Sequence, residues 1–280
     1  MNPNLNQIEH WNGRMGQLWA SRCDHNEYRL AHVQSALMEF AAPEPGMEVL
    51  DVGCGCGLTS LALAEAVTPG GVTGLDVSSP MLECARRAAA EAGLDVKFVE
   101  SDASIHPFRP QYDLVFSRFG VMFFADPVAA FANMRTALKP GGRIAFSCWR
   151  ALAENPWTFG PYDAVRDLLP PQQPALPGGP GQFAFADGAR VKDILERAGF
   201  SHVAVERRDI AVNLGSTIED AVAEAFVHGV LAHAWSDMDE AVRESLRERA
   251  HDRVRSALAP YATSGAVSPP GSVWFVAASV

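Results

Sequence analysis

A short apolar segment that runs directly into a glycine-rich turn constrains the fold of this chain more than any other feature. Residues 47–52 read Met-Glu-Val-Leu-Asp-Val, residues 53–57 read Gly-Cys-Gly-Cys-Gly, and residues 58–66 then have the pattern of a helix. Glycines allow positive φ angles and a close approach to a ligand, and the first helical turn directs free N–H groups at the same place. The segment therefore predicts a strand, a tight loop and a helix around a ligand site.

Strands and helices continue to alternate beyond this segment. The further predicted strands cover residues 72–77, 96–100, 112–117, 143–149, 203–210 and 272–279. Predicted helices cover residues 79–92, 127–138 and 187–198, and the first of these has Ser79 as its N-cap. Alternation at this spacing favours an α/β fold in which helices cover both faces of a mostly parallel sheet.

Two regions fall outside the alternation and have helical patterns of their own. Residues 6–20 and 26–40 predict helices near the N-terminus, and residues 217–232 and 236–258 predict helices in a later insertion. Both regions carry apolar residues, which we expect to pack against other parts of the protein. We therefore predict three parts, namely an N-terminal helical flap (1–47), a core (48–210 and 272–280) and a helical lid (211–271).

Two local patterns refine this division. The second insertion helix is predicted to begin with a capping box formed by Ser236 and Asp239, and its apolar stripe runs from Met238 to Val254. Residues 168–181 hold five Pro and three Gly, which predicts a loop between the core and the later elements.

The charge balance and the cysteines limit the partners of the protein. Lys and Arg number 23 against 33 Asp and Glu, which gives a net charge of −10, and no run of five basic residues occurs. We therefore expect a small-molecule partner and no nucleic acid, since nucleic acids bind basic surfaces. No apolar stretch reaches the ~20 residues that span a bilayer, and the N-terminus lacks a secretory apolar region. Five scattered cysteines favour a reducing cytoplasm over a disulfide framework, and we expect a monomer or homodimer.

Three acidic residues lie at the ends of three successive predicted strands. Asp51 and Asp76 lie near the ends of the first and second strands, and Asp102 follows the third. Open α/β sheets bind their ligands at the carboxyl ends of the strands, where these side chains should meet. A carboxylate at Asp76 can accept hydrogen bonds from both hydroxyls of a ribose, and one at Asp102 can accept from an adenine amine. The three residues together favour an adenosine-containing ligand.

With these residues, the segment 48–149 resembles the class I S-adenosylmethionine-dependent methyltransferases, in particular the small-molecule branch similar to the ubiquinone and menaquinone C-methyltransferases. The resemblance extends to residues 112–115, Tyr-Asp-Leu-Val, and to the turn 138–143, Leu-Lys-Pro-Gly-Gly-Arg. It implies a Rossmann-like sheet of seven strands in which the last strand, 272–279, runs antiparallel. It also implies S-adenosylmethionine as the cofactor and in-line methyl transfer to a small-molecule acceptor held under the flap and lid.

The resemblance assigns individual residues to the cofactor. Asp51 and the first two loop glycines are expected to hold the methionine part, Asp76 the ribose, and Asp102 with the residue after it the adenine. The complete predicted cofactor set is Asp51, Gly53, Gly55, Asp76, Val77, Met81, Asp102, Ala103 and Ser117.

Residues near the mouth of this site are candidates for binding the acceptor, namely Trp11, Arg14, Trp19, Arg118, Phe119, Met122 and Trp149. Aromatic faces suit a sulfonium through cation–π attraction, although both flap tryptophans would equally serve to pack the flap on the core. Arg118 would alternatively be a surface ion-pair partner. A general base would help a phenol or an amine to react, and the candidates are His10, His25, His228 and His233. The sequence leaves open whether O, N, S or C is methylated.

Two other interpretations stay open at this point, and a third is disfavoured. An NAD(P)-dependent oxidoreductase would use the same turn and ribose carboxylate, but its fingerprint requires Gly or Ala where this chain has Leu58. A non-catalytic cofactor-binding or interaction protein would use the lid for a protein partner. Cys54 and Cys56 resemble a metal-binding pair, but structural zinc sites usually have wider spacing and four ligands, so we expect no metal.

Overall fold

The computed structural model describes residues 3–171 and 179–280. Its strands are β1 Glu48–Val52, β2 Gly71–Asp76, β3 Val96–Glu100, β4 Tyr112–Arg118, β5 Leu138–Trp149, β6 Ser201–Ala211, β7 Ala262–Thr263, β8 Ala266–Val267 and β9 Pro270–Ser279. Seven of them form one sheet in the order β3-β2-β1-β4-β5-β9-β6, and β7 pairs with β8. The strands β1 to β5 are parallel, and β9 runs antiparallel to both of its neighbours. The predicted α/β class and its antiparallel last strand are confirmed.

The α-helices of the described residues surround this sheet. They are α1 Leu5–Asn12, α2 Arg14–Ala20, α3 Cys23–Ala41, α4 Leu58–Val67, α5 Ser79–Ala92, α6 Pro127–Arg135, α7 Pro156–Val165, α8 Gly188–Arg197, α9 Ile218–Ala225, α10 Gly229–Ser236 and α11 Glu240–Leu258. α2 packs on α5, and α11 packs on α7 and α9. Among the described residues, none of these helices is both long and apolar enough to pass through a bilayer.

Several helix boundaries differ from the sequence prediction because the backbone leaves the helical region. The predicted helix over 6–20 is split into α1 and α2 by Gly13, with φ −85° and ψ −149°. The predicted helix over 217–232 is split into α9 and α10 by His228, which is extended at φ −126° and ψ 152°. α11 begins after Asp239 rather than at Ser236, because the Asp239 carboxylate accepts from two backbone N–H groups of its first turn. The capping box belongs instead to Thr217, at the start of α9.

Two smaller predictions also need correction. The N-cap of α5 is Ser78, one residue before the predicted Ser79. Ala250 and Val254 of the stripe on α11 are buried, but Val242 is exposed because only the C-terminal half of this helix is covered. Half of the predicted loop over 168–181, namely residues 172–178, lies outside the described residues, so this prediction stays untested there.

One pair of cysteines departs from the expectation of reduced thiols. Cys23 and Cys56 form a disulfide between the start of α3 and the loop after β1, at a sequence separation of 33 residues. The remaining cysteines are free. The sequence could not indicate this pairing, because the fold brings together two residues that share no local pattern.

The loops after β1 and β4 meet at a contact that only glycine permits. A Cβ atom added to Gly120 would lie 2.6 Å from the Val52 carbonyl oxygen and 2.8 Å from Gly53 Cα. The hydroxyl of Ser117 donates to the same Val52 carbonyl at 2.7 Å and accepts from the Gly120 N–H at 3.2 Å. The carboxyl ends of the two central strands are therefore fixed side by side.

We expect Gly120→Ala to lower the free energy of unfolding by about 1–3 kcal/mol, the usual cost of overpacking, because the added methyl group would overlap the Val52 carbonyl. Gly160→Ala is the matched control, since Gly160 lies inside α7 and, apart from its chain neighbours and the backbone of its own helix, no described atom lies within 4 Å of an added Cβ. The usual gain of about 0.5–1 kcal/mol for a helical alanine is offset here by Pro161, which disfavours a helical residue before it, so the free energy of unfolding should change little. Urea denaturation measures both effects, and a Gly120→Ala protein as stable as the parent would contradict the close contact.

Candidate cofactor and acceptor site

Three buried carboxylates lie at the ends of three adjacent parallel strands. Asp51 is in β1, Asp76 ends β2, and Asp102 follows β3 by two residues. Each side chain is at least nine-tenths buried. Burying a charge is costly unless it has a partner, so this edge of the sheet is built to receive donors.

Asp51 has one satisfied oxygen and one free oxygen. The hydroxyl of Ser60 donates to Oδ2 at 2.6 Å, while Oδ1 is buried and has no hydrogen-bond partner among the described residues. Burial raises the pKa of Asp51 to about 7, although the Ser60 hydroxyl and the Arg118 charge oppose this shift. A buried carboxylate oxygen without a donor fits a cationic ligand group such as the ammonium of an amino acid.

Asp76 ties the glycine-rich loop to the end of β2. The N–H groups of Gly55 and Ser78 donate to its two carboxylate oxygens at 2.8 and 2.9 Å. Burial raises the pKa of Asp76, and these backbone donors partly offset that rise. Carboxylate oxygens have about four acceptor positions in all, so Asp76 retains the capacity to accept from ligand hydroxyls.

Asp102 is engaged by the N-terminal region. The side-chain amide of Asn4 donates to both Asp102 oxygens, at 3.0 and 3.1 Å, and the N–H of Ser104 donates at 2.9 Å. An amide NH2 group is the same kind of donor as the exocyclic amine that the sequence analysis assigned to this carboxylate. Asn4 had no signal in the sequence, because its partner lies 98 residues away.

The remaining predicted cofactor residues lie around these carboxylates. Met81 is buried in α5, and its sulfur would be 3.7 Å from a Cβ added to Gly55. The Val77 carbonyl accepts from the amide of Asn12 at 2.7 Å. Ala103 is buried beside Asp102, whereas the Ser117 hydroxyl is occupied by the backbone contact between β1 and β4.

Aromatic side chains form a continuous series of contacts that begins and ends beside the end of β4. The series runs through Phe123, Trp11, Trp19, the Arg29 guanidinium, Trp157, Trp149 and Phe119. Ring centroids are separated by 5.2 Å at Phe123–Trp11 and by 4.3 Å at the stacked Phe119–Trp149 pair. We call this series the aromatic belt. It brings together four of the predicted acceptor residues, namely Trp11, Trp19, Phe119 and Trp149.

The other three predicted acceptor residues lie in three different environments. Arg14 is exposed at the start of α2. Arg118 pairs with Glu27 at 2.9 Å, yet its Nη1 atom is buried without a hydrogen-bond partner among the described residues. Met122 is buried, and its sulfur lies 3.4 Å from the Trp149 backbone nitrogen.

A buried carboxylate, Glu224, joins the N-terminal helices to the inserted ones. Its side chain is only 2% exposed and lies 2.6 Å from Arg22, 2.7 Å from His25, 2.6 Å from His228 and 3.8 Å from Arg29. Burial alone would raise the pKa of Glu224, but His228, Arg29 and His25 outweigh it and keep that pKa low. We call these five residues the Glu224 cluster.

Within the Glu224 cluster, His228 has the features of a general base. Its Nδ1 atom makes the 2.6 Å contact with Glu224, while its Nε2 atom is buried and unpartnered among the described residues. Nδ1 of His228 and Oε1 of Glu224 are close without forming a hydrogen bond of good geometry, as is common for catalytic pairs before substrate binds. Burial lowers the pKa of His228 although Glu224 opposes this, and the ring packs against Trp19 at 5.7 Å.

The other three candidate bases differ from His228 in their surroundings. His25 also contacts Glu224 but is about one-third exposed, and His10 and His233 are exposed. Sequence reasoning missed Glu224 itself. The spacing of Glu224 and His228, four residues apart on a predicted helix, is the signal that could have found it.

Comparison with known proteins agrees with this geometry. A methyltransferase domain family matches residues 49–142. The nocamycin O-methyltransferase of Saccharothrix syringae is 32% identical over 66% of this chain and 70% of its own length. The aklanonic acid methyltransferase of Streptomyces sp. (strain C5) is 39% identical over 40% of this chain, which spans about half (52%) of that relative.

A solved structure shares the fold at low sequence identity. The phosphoethanolamine N-methyltransferase 2 of Haemonchus contortus, in complex with S-adenosyl-L-methionine, is 21% identical. It superposes with a TM-score of 0.51 over 88% of this chain and 51% of its own. The order of the seven strands, the family match and the relationship over most of the nocamycin enzyme point to the same conclusion. The chain belongs to the S-adenosylmethionine-dependent methyltransferases and not to the NAD(P)-dependent oxidoreductases.

Proposed function

We propose that the protein transfers a methyl group from S-adenosylmethionine to a hydroxyl oxygen of a small, largely apolar acceptor. The observation that carries this proposal is the buried Glu224–His228 pair, which contacts the aromatic belt through Trp19. A hydroxyl becomes a good nucleophile as it loses its proton, whereas a carboxylate acceptor would need no base. One relative is named an O-methyltransferase, which supports oxygen as the accepting atom.

The cofactor would be held by the strand-end carboxylates and the loop. Asp51 Oδ1 would accept from the ammonium group, Gly53 and Gly55 would lie against the methionine part, and Asp76 would accept from the ribose hydroxyls. Asp102 and Ala103 would contact the adenine, with Val77, Met81 and Ser117 nearby. When bound, S-adenosylmethionine supplies a methyl group on a sulfonium sulfur, which leaves as a neutral thioether.

His228 would remove the proton from the acceptor hydroxyl as the oxygen bonds to the methyl carbon. Its lowered pKa keeps the imidazole neutral at physiological pH, so that Nε2 can accept the proton. Glu224 would stabilise the imidazolium that results. In-line transfer also requires the acceptor oxygen to be held at the methyl carbon, and such positioning can contribute roughly 7–11 kcal/mol.

The N-terminal helices would act as a flap and residues 211–271 as a lid over the acceptor. The Glu224 cluster supports this division, since Arg22, His25 and Arg29 come from the first region while Glu224 and His228 come from the second. A joined cover would exclude water from the reaction. The apolar rings of the aromatic belt would bind the body of the acceptor, and the free Nη1 of Arg118 would donate to one of its oxygens.

We expect the affinity for S-adenosylhomocysteine to rise with pH through about 7. The ligand ammonium pairs with the ionised carboxylate of Asp51, whose pKa in the folded protein is about 7. Protonation of Asp51 below that pKa should therefore weaken binding by up to about tenfold per pH unit. Calorimetric titrations on both sides of pH 7 measure this dependence.

Two variants test the assignment of this pH dependence to Asp51. Asp51→Asn should bind more weakly and show a flat profile across the same range. Asp113→Asn is the matched control, because Asp113 pairs with Lys139 near the opposite end of β4 and should leave the profile unchanged. A parental affinity that does not vary between acidic and alkaline pH would remove Asp51 from the cofactor site.

We expect His228→Gln to lower kcat by about 10²–10⁴-fold, the usual contribution of a general base. Turnover would be followed as S-adenosylhomocysteine formation with a panel of phenols and hydroxyquinones. In the parent, kcat should fall only as the pH drops below the usual histidine range. The pKa of His228 is lowered, so its imidazole gains a proton and stops acting as a base only at such acidic pH. That acidic limb should be missing in His228→Gln.

The exposed His233 offers the control substitution, and His233→Gln should keep both the rate and the acidic limb. Affinity for S-adenosylhomocysteine should be nearly unchanged in both variants. If His228→Gln turned over the acceptors at the parental rate, His228 would not be the base.

A further inference from the structure

Three cysteines from separate parts of the chain converge beside the glycine-rich loop. Cys23 opens α3, Cys56 lies between two glycines of the loop, and Cys84 lies in α5. Their sulfur atoms all lie within 4.8 Å of one another, and all three residues are partly exposed. We call them the thiol cluster. The proposed methyl transfer uses none of them.

The thiol cluster holds a disulfide and a third, free thiol. The Cα atoms of Cys23 and Cys56 are 6.0 Å apart, which is within the range of about 4.4–6.8 Å seen in natural disulfides. Cys84 is free, and the guanidinium of Arg87 donates to its sulfur at 3.1 Å. A thiol held this close to a disulfide has the geometry needed for exchange.

The two cysteines outside the thiol cluster have a different character. Cys54 and Cys148 are buried, and burial raises the pKa of both thiols. Such thiols are protonated and unreactive, because the thiolate is the nucleophile. Reactivity should therefore be confined to the thiol cluster.

Cys56 connects the thiol cluster both to the proposed cofactor residues and to the aromatic belt. The preceding residue, Gly55, donates its N–H to Asp76 at 2.8 Å. The sulfur of Cys56 lies 3.8 Å from the carbonyl oxygen of Trp19, whose ring belongs to the aromatic belt. The bond that Cys56 makes therefore determines whether the N-terminal helices are tied to the cofactor loop.

We propose that Cys84 exchanges with the Cys23–Cys56 disulfide, and that the pairing of the thiol cluster sets how tightly the cofactor is enclosed. The Cys84 thiolate attacks the sulfur of Cys56, the Cys23–Cys56 bond breaks, and Cys23 leaves as a thiolate that takes up the proton lost by Cys84. One S–S bond forms and one breaks, so no external oxidant is consumed. The new bond ties the loop to α5 and releases α3.

Two variants each restrict the thiol cluster to one of the two alternative disulfides. Cys84→Ser can form only Cys23–Cys56, and Cys23→Ser can form only Cys56–Cys84. Each protein would be oxidised with glutathione disulfide, which is reduced to two thiols as the protein disulfide forms. Alkylation and peptide mass spectrometry would identify the linked cysteines, with protected Cys148 as an internal control and circular dichroism as a check of folding.

We expect each variant to form its single linkage and to differ in affinity for S-adenosylhomocysteine. Oxidised Cys84→Ser should bind at least about fivefold more tightly than oxidised Cys23→Ser, which is the lower end of usual couplings between linked sites. Reduction with dithiothreitol should abolish the difference. This readout depends on the cofactor and not on the acceptor, so it stands apart from the test of O-methylation.

Three results would overturn the proposal. Failure of folded Cys23→Ser to form Cys56–Cys84 would show that Cys84 cannot reach the disulfide. Equal affinities of the two oxidised variants would show a crosslink without influence on the cofactor. Stoichiometric binding of Zn²⁺ by the reduced parent, lost in Cys84→Ser, would identify the thiol cluster as a metal site instead.

Discussion

The contact between the loops after β1 and β4 is the constraint on which the rest of the site depends. Gly53 and Gly120 approach so closely that neither position has room for a Cβ atom, and the Ser117 hydroxyl bridges the same backbone. This contact fixes Asp51 on one strand relative to Arg118 and Phe119 on the next. The residues proposed to hold the cofactor and the acceptor thus share one rigid edge, which preorganised catalysis requires.

The helices that cover this edge are linked to one another by the buried charge of Glu224. Glu224 would be costly to bury alone, and its stabilisation comes from cations contributed mainly by α3 and the residues before it. Removing either region would leave charged groups unpaired in the other. The two regions are therefore energetically linked although about 200 residues separate Arg22 from Glu224 in sequence. The same arrangement leaves Nε2 of His228 without a hydrogen-bond partner in the part of the chain that the structure describes.

The sequence predicted those features that depend on the local spacing of apolar, glycine and acidic residues. The parallel strands, the glycine-rich loop and the carboxylates at the strand ends all follow from short-range patterns that the sheet preserves. The Cys23–Cys56 pair and the Asn4–Asp102 hydrogen bonds depend on contacts between distant segments, which no local pattern reports. The break at Gly13 had a local signal, since glycine is a poor helix former, whereas the extended backbone at His228 had none.

The hydrogen bonds between Asn4 and Asp102 join the N-terminal region to the proposed cofactor site. Asn4 offers Asp102 an NH2 donor, and an adenine amine would offer the same chemistry to the same oxygens. A carboxylate has about four acceptor positions, and Asn4 with the Ser104 N–H already uses most of them. In the proposed site, adenine would therefore displace Asn4 or share Asp102 with it. Either outcome would couple cofactor binding to the placement of α1, the helix that carries Trp11 of the aromatic belt.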